Sequence, residues 1–82
     1  MCIDFTDATE VLGAAHAGDR SIGVRRAVVA FTHPAELDLE HALCIDFRAG
    51  GADPSERVAV ELDTESARAL AYSILGALQR AS

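Results

Sequence analysis

Residues 28–47 read VVAFTHPAELDLEHALCIDF, and no other stretch constrains the fold as tightly. Residues 27–32 and 42–47 are rich in Val, Ile, Phe and Leu, which favour pleated, half-buried strands. His33 precedes Pro34, which pushes its backbone towards extended geometry. Pro34 lacks an N–H and stops ladder pairing there. The simplest antiparallel register sets His33 opposite His41. Phe31 then faces Leu43, Val29 faces Ile45 and Ala27 faces Phe47, an unbroken apolar face. The other face pairs Val28 with Asp46 and Ala30 with Cys44. A slip of one residue would mix the two faces, so the pattern itself specifies the register. Side chains directly opposite one another sit roughly 5 Å apart at Cβ, so the two imidazoles become neighbours at the mouth of the apolar face.

The remaining elements fall around this hairpin. Residues 2–6 (CIDFT) alternate as a short first strand, and residues 7–12 continue it less regularly. Residues 13–23 (GAAHAGDRSIG) carry three glycines and little pattern, which reads as a loop holding a solvated His16. The second strand spans Ile22 to His33, the acidic connection Pro34 to Glu40, and the third strand His41 to Arg48. Residues 49–56 (AGGADPSE) have turn composition, and Arg57 to Leu62 alternate as a fourth strand. Asp63 is placed as a helix N-cap, with Glu65 in the first turn to suit the dipole. Ala67, Leu70, Ala71, Ile74, Leu75 and Leu78 then recur at helical spacing as one apolar stripe. Gly76 costs roughly 1 kcal/mol relative to Ala in a helix interior, which reads as a residue kept for close packing. The expected fold is a single α+β domain over residues 1–82, a four-stranded antiparallel meander with one C-terminal helix packed on one face.

A chain of 82 residues buries only about 60–65 % of its unfolded surface, so its core is small. Thirteen acids oppose seven arginines for a net charge of −6. No basic stripe is available to release counterions from a phosphate backbone, which excludes general nucleic-acid binding. No run approaches the ~20 apolar residues a membrane span needs. No basic segment is followed by an apolar run, so no signal peptide is visible. Cys2 and Cys44 are read as reduced thiols of a cytoplasmic protein.

Meander connectivity gathers Cys2, His33, Glu40, His41 and the helix start at one end of the sheet. A thiolate and two imidazoles are good zinc ligands, so Cys2, His33 and His41 form the candidate metal set. Glu40 is the candidate general base or the partner that orients His41. The spacing lacks any CxxC or HExxH pattern. Cys2 also has the opposite strand parity to Ile3 and Phe5, which counts against it as a ligand. A metal-free alternative uses the same mouth for a small ligand with an acidic or carbonyl group, His33 or His41 acting as acid or base. Cys2 as a nucleophile paired with a histidine is a third alternative. The plainest alternative has the two histidines capping the core and bonding to the acidic loop. Val28, Ala30, Ala42 and Cys44 make the reverse face too apolar to stay wet, which points to a homodimer through that face or an edge strand. Two functions follow from the residues: a homodimeric small-molecule binding or accessory catalytic protein, or an interaction module without a ligand site.

Four motifs carry a family resemblance: the Met1-Cys2 opening, F-x-H-P at Phe31 to Pro34, E-H-x-L-x-I-D-F at Glu40 to Phe47, and RVAVEL-x-x-ESARAL from Arg57 to Leu70. On these the chain resembles a family of short bacterial proteins of actinomycete type with no established activity. The resemblance implies that Cys2, His33, Glu40 and His41 belong to the family pattern, and it implies a place near natural-product tailoring pathways.

Overall fold

The computed structural model describes residues 5–50 and 56–81. Four strands, β1 (Phe5–Ala17), β2 (Arg20–Thr32), β3 (Ala42–Arg48) and β4 (Arg57–Leu62), precede one helix, α1 (Thr64–Ala81). The strands form one antiparallel sheet in the order β1-β2-β3-β4. This is the α+β meander with a C-terminal helix that the sequence implies.

The β2–β3 register is the one the apolar pattern specifies: Phe31 pairs with Leu43, Val29 with Ile45 and Ala27 with Phe47. β4 continues each row, setting Leu62 beside Leu43, Val60 beside Ile45 and Val58 beside Phe47. Side chains alternate across a strand, so these three rows form one uncharged face of β2, β3 and β4. The opposite face carries Arg26, Arg48 and Arg57 in one row, then Val28, Asp46 and Ala59, then Ala30, Cys44 and Glu61.

The first hairpin differs from the sequence expectation. Residues 13–23 are not a loop, because β1 runs to Ala17 and pairs with β2 as far as Arg20. Its turn is two residues long, Gly18 and Asp19, and Gly18 has φ +62°, the conformation a primed hairpin turn takes at its first central position. Ala and Gly give this segment no apolar alternation, yet the backbone ladder forms without one. The pairing shifts between Glu10 and Gly13, where a bulge accommodates Val11 and Leu12. His16 therefore lies on a strand opposite Ser21, and it is exposed. The sheet curls enough that β1, β2 and the start of β4 line one hollow of about 160 Å³, bounded by Ala15, Ala17, Ser21, Arg57 and Val58 among others.

α1 begins where the sequence places it. Asp63 Oδ1 accepts a hydrogen bond from the Ser66 amide at 2.8 Å, and the Ala67 amide donates to the Asp63 carbonyl at 2.9 Å. The first of these satisfies an amide that a helix start leaves orphaned, and the second opens the helical ladder. Hydrogen bonds from Ser66, its side chain first and then its amide, hold the Asp63 carboxyl below the usual range. The main neighbour of α1 is β3, yet none of its residues is buried. Exposure climbs along its apolar stripe, from 44 % at Leu70 through 53 % at Ile74 and 57 % at Leu75 to 63 % at Leu78. The helix thus draws away from the sheet beyond its half-buried Ala67. Among the described residues only Val24, Pro34 and Ala42 are buried. No helix among them is long and apolar enough to cross a membrane.

Candidate functional site

The end of the sheet at which β2 closes and β3 opens gathers much of what connectivity predicts. Phe5 pairs with Phe31, Thr32 with Ala42 and Leu43 with Leu62, so the start of β1, both histidines and the α1 N-terminus share one rim. Cys2 lies outside the described residues.

The two imidazoles have different partners. His41 is half-buried and stacks on the Phe31 ring, with centroids 5.4 Å apart and planes 11° from parallel. His33 is exposed, and its Nδ1 lies 3.0 Å from the Glu40 carbonyl oxygen, closing the acidic connection on itself. Glu40 contributes its backbone to that bond, and its residue is exposed. Among the described residues no three His, Cys, Asp or Glu side chains are grouped to hold a metal ion.

Sequence reasoning missed Glu61. Its carboxylate accepts hydrogen bonds from three successive amides: Ala35 at 2.6 Å, Glu36 at 2.9 Å and Leu37 at 3.1 Å. Those bonds, first among them that of Ala35, together with the nearby His33, hold the Glu61 carboxyl below its ordinary range. Pro34 directs the chain into this turn and is itself buried. Glu61 thus ties the connection to β4 at its start, and His33 ties it at its end. Glu61 is 24 to 26 residues from its partners, so no local signal in the sequence announces the contact.

The same charged face bears a shallow cavity of about 330 Å³, lined by Ala35, Glu36, Leu37, Arg57, Ala59 and Glu61. Its charges are largely engaged within the chain. Asp46 Oδ2 receives Nε and Nη2 of Arg48 at 3.1 and 2.8 Å and lies 3.4 Å from Nη1 of Arg57. Glu10 is the register partner of Arg26. Asp46 thus pairs with two arginines of the three-arginine row, Arg48 and Arg57. Asp46 Oδ1 is buried and accepts no hydrogen bond from the described residues. The Cys44 thiol is pushed above its usual range by burial and by the Glu61 charge. It stays protonated near neutral pH and is a poor nucleophile.

The family of unknown function DUF6295 matches the sequence over residues 1–82. The chain belongs to DUF6295. No curated protein and no solved structure matches it. This geometry joins a rim where Glu61 and His33 bond to the acidic connection with a helix whose apolar stripe is largely exposed.

Proposed function

We propose that this chain is a protein–protein interaction module whose working surface is the apolar stripe of α1 together with the uncharged face of the sheet. The observation that supports it is the exposure of Leu70, Ile74, Leu75 and Leu78 on one helix face. Contiguous apolar surface of this kind marks interaction sites in folded proteins. A ligand-binding reading has less to draw on, because His33, Glu61, Asp46, Arg48 and Arg57 bond mainly within the chain. Photo-crosslinking in cells tests the proposal: a benzoylphenylalanine replacing Leu75 gives a discrete covalent adduct, and one replacing the exposed Ala69, on the side of the helix away from the stripe, gives none. Absence of any adduct from position 75 overturns the reading.

A second reading keeps the rim as a small-molecule or zinc site, supported by the convergence of Phe5, His33, His41 and Asp63 at one end. Cys2, His33 and His41 would hold the ion, with Glu40 beside His41 as base or orienting group. Elemental analysis of tag-free protein gives stoichiometric zinc on this reading, and a trace content removes the metal version. For the metal-free version, His33→Ala and His41→Ala abolish ligand-dependent thermal shifts; unchanged shifts remove it.

A further inference from the structure

The protomer is too open for its size. A monomer of 8.6 kDa is expected to expose about 4,700 Å², whereas this chain exposes 6469 Å². The excess is about 1,800 Å², which doubled lies within the 2,000–5,000 Å² of obligate dimer interfaces. The radius of gyration agrees: 13.8 Å against about 12 Å for a compact chain of this length. Three buried residues among those described make no core for a free-standing domain, and small domains that lack one commonly oligomerise. A small ligand would leave most of this surface wet.

The surface also has a shape that a second copy fits. It offers a ridge, the α1 stripe, whose exposure rises towards the C-terminus. It offers a floor as well, the uncharged rows of β2, β3 and β4, on which Val58 and Val60 stand exposed. A two-fold axis satisfies both at once, because each protomer gives its ridge and receives one. Charge permits this. The chain carries −6, yet those three rows hold no ionisable residue on β2, β3 or β4; the carboxylate that borders them is Asp7 of β1, the register partner of Val29. The reverse face suits the role less well, since its middle is occupied by the Asp46, Arg48 and Arg57 cluster.

We infer that two copies of this chain join about a two-fold axis, each α1 seating its stripe on the uncharged sheet face of the other. The inference rests on the interaction reading and names its partner.

Light scattering on the purified full chain at micromolar concentration gives twice the chain mass, and the thermal midpoint rises with protein concentration. Leu75→Glu places a charge in the joint and weakens dimerisation on the order of a hundredfold. Ala69→Glu, on the exposed side of α1 away from the stripe, leaves mass and folding unchanged and controls for damage to the helix. Mixing a Leu75→Cys chain with a Val60→Cys chain, each also carrying Cys2→Ser and Cys44→Ser, gives a disulfide-linked heterodimer on oxidation. That bond does not depend on whether Leu75→Glu folds. A folded monomer, or a dimer indifferent to Leu75→Glu, overturns the inference. A position-75 adduct of some mass other than twice the chain overturns it while leaving the interaction reading in place; no adduct at all removes both.

Discussion

The rim loop and the helix are built on opposite terms. Residues 33–41 hold few buried apolar groups but close their hydrogen bonds within the chain, through Glu61 at one end and His33 at the other. α1 has a well-made start on Asp63, yet its apolar stripe finds little cover along its length. Hydrogen bonds are directional and local, so a short chain can complete them alone. Burial scales with area, and 82 residues do not supply enough of it. The loop is thus finished within its own chain, and the helix stripe is left largely exposed.

The largest test of that contrast sets Leu75→Glu against Glu61→Ala. The helix variant is expected to lose assembly and, with it, cooperative unfolding, read by light scattering and by the denaturant transition. Glu61→Ala is expected to keep the assembly mass. Hydrogen exchange at the Ala35, Glu36 and Leu37 amides then approaches that of an unstructured loop, while α1 stays protected. If Glu61→Ala dissolves the assembly as well, loop and helix are one cooperative unit and the contrast fails.

Acid gives a graded version of the same separation. Glu61 has a lowered pKa in the fold, so its stabilising effect is fully present above the unfolded value of about 4.3 and fades as pH falls through the folded value. Asp63 behaves alike, from its own unfolded value downward. Exchange at residues 35–37 and at the first turn of α1 is therefore expected to quicken below about pH 4, with the middle of α1 following later. Uniform loss across the chain would show that these carboxylates do not act locally.

The parts of this architecture that were readable in the sequence are those with a local physical signature. The β2–β3 register is fixed by side chains that must share a face, and Asp63 is legible because a cap acts within three residues. The first hairpin was hidden because Ala14, Ala15 and Gly13 carry no face preference, leaving only Gly18-Asp19 as a turn signal. Glu61 was hidden because its three amides come from a distant segment. The stripe on α1 was legible from its helical spacing, but spacing is silent on how much of it the same chain buries. The histidine rim was legible as a position, through strand parity, but the Phe31 stack and the Glu40 carbonyl that occupy its rings were not.

The smallest effect comes from Gly76. Close packing within the chain was the expected reason for a glycine there, but a Cβ at this position meets nothing within 4 Å. At 100° per residue Gly76 lies on the side of α1 opposite Ile74 and Leu78, the side the proposed partner leaves free. Gly76→Ala then removes the helix-interior penalty and adds about 1 kcal/mol of stability, with the assembly unaltered. Chemical denaturation of the dimer measures it. A loss of stability, or a change in mass, would mean that another surface closes on that side of the helix, and the face assigned to the partner would have to be turned round.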